Sequence, residues 1–298
     1  MTRILVTGAD GYVGSHVIAA LKSRPVEIHV VARNSAAADA ARGLGLVPHT
    51  IALEQADALR SLAGSVDGIA HLAASDNPAF LPVNRAAIEA MVAGLPAGAA
   101  FVMHGGSLVF GDTGKSGLAG EPKMNPPPPL AGRAQLDRFV LDSAVSGVRT
   151  HIVYGGFVFG GHGAMIPNTL VKAANTAGYS AFIGDGAALW SAVHILDWAD
   201  LIVSVLLDGK TSGVPVFAAA QQISMRDAAD LVASAFRPTL PAHSVTLEAG
   251  QELWGFFAPG FTMSQYFDGE KARTDYGWNP EPRDMASEFR SLADQLTK

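Results

Sequence analysis

The fold is decided by the stretch RILVTGADGYVGSHVIAALKSR, residues 3–24. It opens with a short apolar run rich in β-branched side chains, which predicts a buried parallel strand. Gly8, Gly11 and Gly14 follow, and behind them apolar residues recur with helical spacing. The run VEIHVVARN (26–34) predicts a second strand. This order of strand, glycine turn, helix and strand is typical of dinucleotide binding.

Each glycine has a separate role in such a turn. Gly8 permits the tight turn, Gly11 lets the backbone approach a pyrophosphate, and Gly14 lets the helix pack on the strand. The helix N-terminus adds unpaired N–H groups and the positive end of the helix dipole. The turn is therefore predicted to bind the phosphates of a nucleotide.

The end of the second strand bears on the choice of cofactor. A carboxylate at this point binds the ribose 2′-OH of NAD, but here the residue is Arg33. Arg33, Asn34 and Ser35 offer a cation and nearby donors that suit a 2′-phosphate. The alternative interpretation is a surface arginine, with Ser35 capping the next helix. We favour NADP(H) over NAD(H).

Strands and helices continue to alternate along the chain. Apolar runs predict strands at 68–75, 99–112 and 148–156, and an amphipathic pattern predicts a helix at 134–147. Such alternation implies an α/β fold, a Rossmann-type doubly wound parallel sheet.

The C-terminal part is expected to add a smaller substrate-binding lobe. We assign 1–154 and 191–222 to the dinucleotide-binding domain, and 155–190 and 223–298 to the lobe. The lobe contains the aromatic stretch ELWGFFAPGF (252–261). These rings either form its core or line a site for an apolar substrate.

Composition excludes several classes of function. The chain has 298 residues, of which 49% are hydrophobic, a net charge of −6 and no cysteine. The acidic balance argues against nucleic-acid binding, and the absence of cysteine excludes disulfides and thiolate metal sites. No apolar run reaches the ~18 residues of a membrane helix, and the N-terminus has no apolar region typical of a signal peptide. We expect a cytoplasmic protein without a membrane partner.

The chain resembles the extended short-chain dehydrogenase/reductase family, the NAD(P)-dependent epimerase/dehydratase group. The stretches that carry the resemblance, in chain order, are VTGADGYVGSHV, DGIAHLAA, VNRAAIEAM, LVFGD, GDGAALWSAVHILDWADLIVSVL and TDYGWNP. Their order matches the family over nearly the whole length. The resemblance implies a Rossmann-type fold, a nicotinamide cofactor and a small-molecule substrate.

The family's catalytic residues do not match. The family uses Tyr-x-x-x-Lys on the helix after the fourth strand, and those positions fall on Ala131 and Gln135. The family's serine falls on Gly106. Arg133 lies between the two helix positions, and arginine is a poor acid. The chain therefore resembles an atypical branch of the family that lacks the usual acid–base residues.

Three other polar residues are candidates for the missing chemistry. His104 and Ser107 flank the vacant serine position, and Tyr154 ends the next strand. We rank Tyr154 first because a phenol can give a proton or orient a carbonyl. His162 lies in a glycine-rich loop that could close over a ligand, and His194 lies in WSAVHILD; each of them alone is more often a structural residue. The histidines show no spacing that suggests a metal site.

The cofactor is expected to contact residues from the glycine turn and the strand ends. These are Gly8, Asp10, Gly11, Tyr12, Val13, Gly14, Arg33, Asn34, Leu72, Ala73, Ala74, Gly105, Gln135, Gly155 and Val158.

Three functions remain open at this point. The first is an NADP(H)-dependent oxidoreductase that acts on a small, largely apolar carbonyl, alcohol or imine with non-standard acid–base residues. The second is a redox-neutral cyclase, isomerase or dehydratase on the same scaffold. The third is a non-catalytic regulator that senses a nucleotide. A monomer or a homodimer would suit any of them.

Overall fold

Strands and helices alternate through most of the protein. The computed structural model describes residues 1–75, 79–114, 122–209 and 211–296. The strands are β1 (Thr2–Thr7), β2 (Val26–Ala32), β3 (Val47–Thr50), β4 (Gly68–His71), β5 (Ala100–Gly106), β6 (Arg149–Gly155), β7 (Phe157–Phe159), β8 (Ser180–Ile183), β9 (Leu189–His194), β10 (Val214–Ala218), β11 (Gln221–Ser224) and β12 (Ala242–Val245). The helices are α1 (Tyr12–Leu21), α2 (Ser35–Gly43), α3 (Ala56–Ala63), α4 (Phe80–Gly94), α5 (Ala131–Asp142), α6 (Met165–Ala177), α7 (Ile195–Asp208), α8 (Met225–Ala235), α9 (Leu247–Trp254), α10 (Glu270–Tyr276) and α11 (Met285–Leu296). Within these ranges, none of the helices has both the length and the apolar character that a bilayer crossing requires.

A parallel sheet forms the centre of the molecule. In the described part of the chain its order is β10-β6-β5-β4-β1-β2-β3, and every neighbouring pair is parallel. The order reverses between β1 and β4, because β2 and β3 extend the sheet to one side and β4 to β6 extend it to the other. Ligands bind at the carboxyl ends of the strands beside such a switch point. The expected doubly wound sheet is confirmed.

Strand β1 is apolar because both faces of the sheet are covered. Ile4 and Val6 pack in a core that includes residues of α1 and α7, whereas Leu5 packs in a core that includes residues of α3 and α4. Alternate side chains of a strand point to opposite faces, so an unbroken apolar run is what a strand buried on both sides requires.

A third core lies in the C-terminal part of the chain. Strands β11, β9 and β7 form a small sheet, and Phe157, Trp190 and Phe261 pack with residues of α6, α8 and α11. The chain then returns to the large sheet. Phe267 stacks on Phe217 of β10, and Trp278 packs in the core shared by α1 and α7. These two residues of the segment 223–298, which we assign to the lobe, thus pack against the large sheet and its helices.

Helix α5 begins earlier and ends earlier than the predicted span of 134–147. A 3₁₀ turn at Pro128–Leu130 leads directly into it, since proline presets a helix-compatible φ. After Asp142 the backbone forms a second 3₁₀ turn. This turn ends at Gly147, whose φ is +87°. The stretch 111–132, rich in proline and glycine, predicts a long loop that could border the site, and its residues 115–121 lie outside the described residues.

Candidate functional site

The glycine turn lies at the switch point between β1 and β4. Gly8 has a φ of +66°, and a Cβ there would lie 2.7 Å from the Leu72 carbonyl oxygen. A Cβ on Gly14 would overlap the Gly8 carbonyl oxygen. Both neighbours are backbone atoms, which cannot turn aside as a flexible side chain could. Both positions need glycine so that α1 can pack against β1 and β4.

The N-terminus of α1 presents backbone donors at this turn. Its N-cap is Gly11, and in the described residues no side chain caps the helix and its first turn holds no acidic group. The N–H groups of Tyr12, Val13 and Gly14 and the positive end of the helix dipole can therefore serve an anion. This arrangement fits the pyrophosphate of a dinucleotide.

A buried network holds the end of β4 beside the turn. Thr7 Oγ1 lies 2.8 Å from His71 Nδ1, and His71 Nε2 lies 2.6 Å from Asn84 Oδ1. Thr7 Oγ1 also accepts the N–H groups of Leu72 and Ala73. Burial lowers the pKa of His71 to about 4, so its ring is neutral at pH 7. A neutral ring that donates from Nε2 and accepts at Nδ1 suits every partner in the network.

The end of β2 presents an exposed cation. Arg33 Nη2 donates to Asp10 Oδ2 at 2.9 Å, and both side chains are mostly exposed. Exposed ion pairs contribute little to stability, so Asp10 does not withhold Arg33 from a ligand. Asn34 Oδ1 accepts the Ala37 N–H and caps α2. Asn34 thus takes the capping position that the alternative interpretation gave to Ser35.

A glycine-rich loop after β7 packs against the start of α1. The Tyr12 hydroxyl donates to the Gly160 carbonyl at 2.6 Å, and a Cβ on Gly163 would overlap the Tyr12 ring. The Gly161 N–H donates to Glu288 on α11. Burial, and then the charge of Glu288, raises the pKa of Tyr12. The side chain of Tyr12 therefore holds the loop, while its backbone N–H remains at the helix terminus.

Other residues expected to contact the cofactor serve close packing at the strand ends. A Cβ on Gly105 would overlap the Tyr154 ring, and a Cβ on Gly155 would lie 2.7 Å from Val158 Cγ2. Gly105 and Gly155 therefore make room for neighbouring side chains. Ala74, in contrast, is exposed just beyond the end of β4.

Ser107 and His104 lie at the end of β5 with unpaired polar atoms. Ser107 is 2% exposed, and neither its Oγ nor His104 Nδ1 has a hydrogen-bond partner among the described residues. The Trp198 ring meets the His104 ring edge-on, and Trp198 Nε1 is unpaired there as well. Because buried polar atoms are normally hydrogen-bonded, such a cluster marks a place that a ligand or water completes.

His104 is a neutral group at pH 7. Burial, and then the charge of Arg133, lowers its pKa to about 3. Its imidazole can accept or donate a hydrogen bond, but it is not an acid at neutral pH.

Tyr154, our first candidate for a proton donor, lies in the core. It is 1% exposed and packs against Phe110 and Phe217. Its hydroxyl donates to Asp137 Oδ2 at 2.9 Å. Burial, and then the Asp137 carboxylate, raises its pKa well above the usual value. The expected accessible phenol is absent because this side chain falls on the face of the sheet that α5 covers. A catalytic role for Tyr154 stays a prediction.

The positions of the family's catalysts offer little chemistry. Gly106 is exposed, and a Cβ there would meet nothing within 4 Å. Packing therefore does not forbid a serine at this position. Gln135, which we expected to contact the cofactor, has an exposed side chain on α5, and Ala131 opens that helix.

Sequence reasoning missed an ion pair on α5. Arg133 Nε donates to Asp137 Oδ1 and Arg133 Nη2 donates to the His104 carbonyl, each at 2.7 Å. The Asp137 side chain is fully buried, and that of Arg133 is 26% exposed. The signal was the spacing of four residues between an arginine and an aspartate on one helix.

The remaining polar candidates have structural partners. His194 caps α7, since its Nδ1 accepts the backbone N–H two residues on. Its Nε2 lies 3.5 Å from Glu288, and Asp197 pairs with Arg283. His162 is exposed. The described His, Asp and Glu side chains contain no group of three that could hold a metal ion.

The aromatic stretch of the lobe is divided between core and surface. Trp254 and Phe261 are buried and meet edge to face, whereas Phe256 is 52% exposed. A groove of about 560 Å³ elsewhere in the lobe is lined by residues of β11 and α8 such as Gln222 and Asp227. Strand ends of the large sheet do not line it.

The first third of the chain matches a known family. Residues 4–94 match the model of the NAD dependent epimerase/dehydratase family. This part of the chain is similar to an epimerase/dehydratase domain. The matched residues extend from β1 to α4 and include the glycine turn, the end of β2 and the Thr7–His71–Asn84 network.

Full-length relatives and structures extend the likeness. An uncharacterised protein of Saccharomyces cerevisiae is 27% identical over 97% of this chain and 98% of its own. The 4-hydroxy-2-methyl-3-oxo-4-farnesyl-3,4-dihydroquinoline-1-oxide ketoreductase of Stigmatella aurantiaca is 23% identical over 93% of this chain and 91% of its own. The dTDP-glucose 4,6-dehydratase DesIV of Streptomyces venezuelae, crystallised with NAD, superposes with a TM-score of 0.76 at 19% identity over 99% of this chain and 97% of its own. The likeness in fold therefore extends over nearly the whole chain.

Proposed function

We propose that this protein is an NADP(H)-dependent oxidoreductase that reduces a carbonyl or imine of a small, largely apolar molecule, or oxidises the corresponding alcohol. The observation that carries the proposal is the placement of two features at the carboxyl edge of one sheet. The uncapped start of α1 meets the glycine turn at the switch point, and the unpaired atoms of Ser107 and His104 lie at the end of β5. The first suits a dinucleotide, and the second suits a polar reacting group.

The chain's own groups divide the work of binding the cofactor. The N–H groups at the start of α1 would hold the pyrophosphate, and Leu72 and Ala73 would border it at the end of β4. Arg33 would bind the 2′-phosphate of the adenosine ribose as a charge-assisted donor. A 2′-phosphate must compete with Asp10 for Arg33, and the exposure of that pair supports the exchange.

The cofactor, when bound, supplies the hydride that distinguishes a reductase from a redox-neutral enzyme. The Ser107 hydroxyl would donate a hydrogen bond to the substrate oxygen as negative charge develops there. His104 is neutral because burial, and then the charge of Arg133, lowers its pKa, and its unpaired Nδ1 would offer a second polar contact to the substrate. The pKa of His104 is lowered and that of Tyr154 is raised, so neither side chain is suited to act as an acid at pH 7. We therefore assign the role of proton donor to water.

The proposed substrate class has two supports. The distant relative from Stigmatella is a ketoreductase, which is consistent with carbonyl reduction. The lobe places Phe256 at its surface and Phe257 partly exposed beside it. Exposed rings suit contact with an apolar molecule.

The test is to incubate the purified chain with NADPH or NADH and a panel of apolar ketones, aldehydes and imines, and to follow cofactor oxidation together with product formation. We expect oxidation of NADPH that depends on the added carbonyl compound. Turnover of a panel member without oxidation would overturn the proposal in favour of a redox-neutral enzyme. Calorimetry that detects no binding of either nucleotide would also overturn it.

A further inference from the structure

The guanidinium of Arg133 is fixed at the carboxyl end of β5. Two of its nitrogens are used, by Asp137 and by the His104 carbonyl, and the third, Nη1, makes no hydrogen bond to a described residue. The side chain is partly exposed. A long flexible cation held at two points and open at a third is built to present a donor rather than to cover apolar surface.

The surroundings of Arg133 are more elaborate than a helix surface pair requires. Asp137 is fully buried, and its second oxygen accepts the Tyr154 hydroxyl. Buried ion pairs are weak sources of stability because desolvation offsets the attraction. Two side chains, those of Asp137 and Tyr154, and the His104 carbonyl thus hold one donor in place, which indicates a role beyond stability.

The order of strands decides what lies near this donor. The glycine turn sits between β1 and β4, and Arg33 lies on the β2 side of it. Arg133 lies on the other side, where its charge contributes to the lowered pKa of both His71 at the end of β4 and His104 on β5. Neighbouring strands are ~4.8 Å apart, so β5 is about 10 Å from β1. A dinucleotide with its pyrophosphate at the turn extends one nucleoside to each side of it.

We propose that Arg133 donates hydrogen bonds from Nη1 to the ribose of the nicotinamide nucleoside, and that Asp137 and the His104 carbonyl orient it for that contact. The inference rests on the proposed function, because it requires that NADP(H) binds. The Arg133–Asp137 pair is neutral overall. It therefore suits neutral hydroxyl oxygens better than a phosphate, which the uncapped start of α1 already serves.

The experiment compares two ligands on four chains. Calorimetry measures the Kd of NADPH, and of 2′,5′-ADP, which has the adenosine end but no nicotinamide riboside. The chains are the parent, Arg133→Ala, Arg133→Lys and the control Arg138→Ala, which removes an exposed arginine from the same helix. We expect Arg133→Ala to weaken NADPH about 10- to 100-fold, the cost of a hydrogen bond to a charged donor, and to leave 2′,5′-ADP unchanged. Arg133→Lys should lie between, and Arg138→Ala should match the parent.

Each alternative result has one meaning. Equal weakening of both ligands by Arg133→Ala and Arg133→Lys would show a structural role and overturn the inference. Unchanged NADPH affinity in Arg133→Ala would overturn it too, and would move Arg133 to the substrate. If Arg133→Ala does not fold, Arg133→Lys carries the same comparison of ligands. A parent chain that binds neither ligand overturns the proposed function and this inference with it, whereas an unselective variant overturns the inference alone.

Discussion

Two regions at the carboxyl edge of the large sheet, the glycine turn and the end of β5, are built from different parts of the chain. At the glycine turn, Gly8, Gly11 and Gly14 bring backbone atoms close to each other, and the donors are backbone N–H groups of one short segment. At the end of β5, the donors are side chains, and Arg133 is held by a residue four positions on and by a carbonyl 29 positions back.

The difference teaches which kind of site a sequence can announce. A backbone site needs glycine at fixed spacing, because any Cβ would collide with a neighbouring main chain. A side-chain site accepts many residue types, since what matters is where folding brings their ends. In this protein the glycine turn can thus be recognised from its spacing, whereas the side chains at the end of β5 follow no familiar sequence pattern.

The largest effect is expected where backbone meets backbone. Gly14→Ala would drive a methyl group into the Gly8 carbonyl, so α1 must move away from β1. We expect a loss of about 1–3 kcal/mol in the free energy of unfolding, and a weakening of NADPH binding by about 100-fold or more as the α1 donors are displaced. The control is Gly43→Ala, where a Cβ would meet nothing within 4 Å. Calorimetry measures the NADPH affinity, and denaturant unfolding measures the free energy of unfolding. Parental NADPH affinity in Gly14→Ala would contradict the contrast between the glycine turn and the end of β5.

Acid should destabilise the folded protein through His71 in the buried network at the end of β4. The pKa of His71 is lowered from 6.5 to about 4 by burial, so the unfolded chain binds the proton more readily than the folded chain. Its stabilising effect is fully present above pH 6.5 and is lost as the pH falls towards 4, by up to about 3 kcal/mol.

Denaturant unfolding between pH 7 and pH 4 measures this loss. His71→Gln should be less stable at pH 7 but should show a shallower decline, whereas His243→Gln at an exposed position should keep the parental slope. His104 and His151 also have lowered pKa values and should maintain part of the decline. A slope in His71→Gln equal to that of the parent would contradict the assignment of His71 as a neutral member of the network.

Two variants that each remove one hydroxyl group test which side chain near the end of β5 supports turnover. Ser107→Ala removes an unpaired buried hydroxyl, so stability should hold or rise, while turnover of the carbonyl substrate should fall about 100-fold if the hydroxyl supports the developing oxyanion. Tyr154→Phe removes a hydroxyl that is already bonded to Asp137, so stability should fall by about 1–3 kcal/mol with a smaller change in turnover. The reverse ranking in steady-state kinetics would restore Tyr154 as the leading proton donor.

The smallest expected effect is the choice between nucleotides at the exposed end of β2. Arg33→Asp removes the cation and adds a carboxylate that can bind ribose hydroxyls, so the preference for NADPH over NADH should reverse, with NADPH weakened about 10- to 100-fold. Asp10→Asn should strengthen NADPH slightly, because Arg33 loses its competing partner. Equal affinity of the parent for both nucleotides in calorimetry would remove the basis for assigning NADP(H).

Much of the fold could be predicted from local pattern alone. The apolar run before Gly8 reads as a strand buried on both faces, and Ile4 and Leu5 indeed lie in different cores. Boundaries were less legible, because α5 starts at Ala131 through a proline turn that carries no helical periodicity. The cap of α7 was not predictable either, because His194, a residue type outside the usual capping set, accepts a backbone N–H of the helix's first turn.

The sequence by itself determined the features that depend on the backbone. Three glycines at fixed spacing, followed by a helix, are enough to specify the turn, its donors and the doubly wound sheet around it. Only the tertiary structure decided the reactive end. The register of β6 and the packing of α5 decide that Tyr154 faces α5. Folding also brings the His104 carbonyl of β5 close to Arg133. Glycine acts where it stands in the chain, whereas a long side chain acts where the packing of distant segments allows its end to reach.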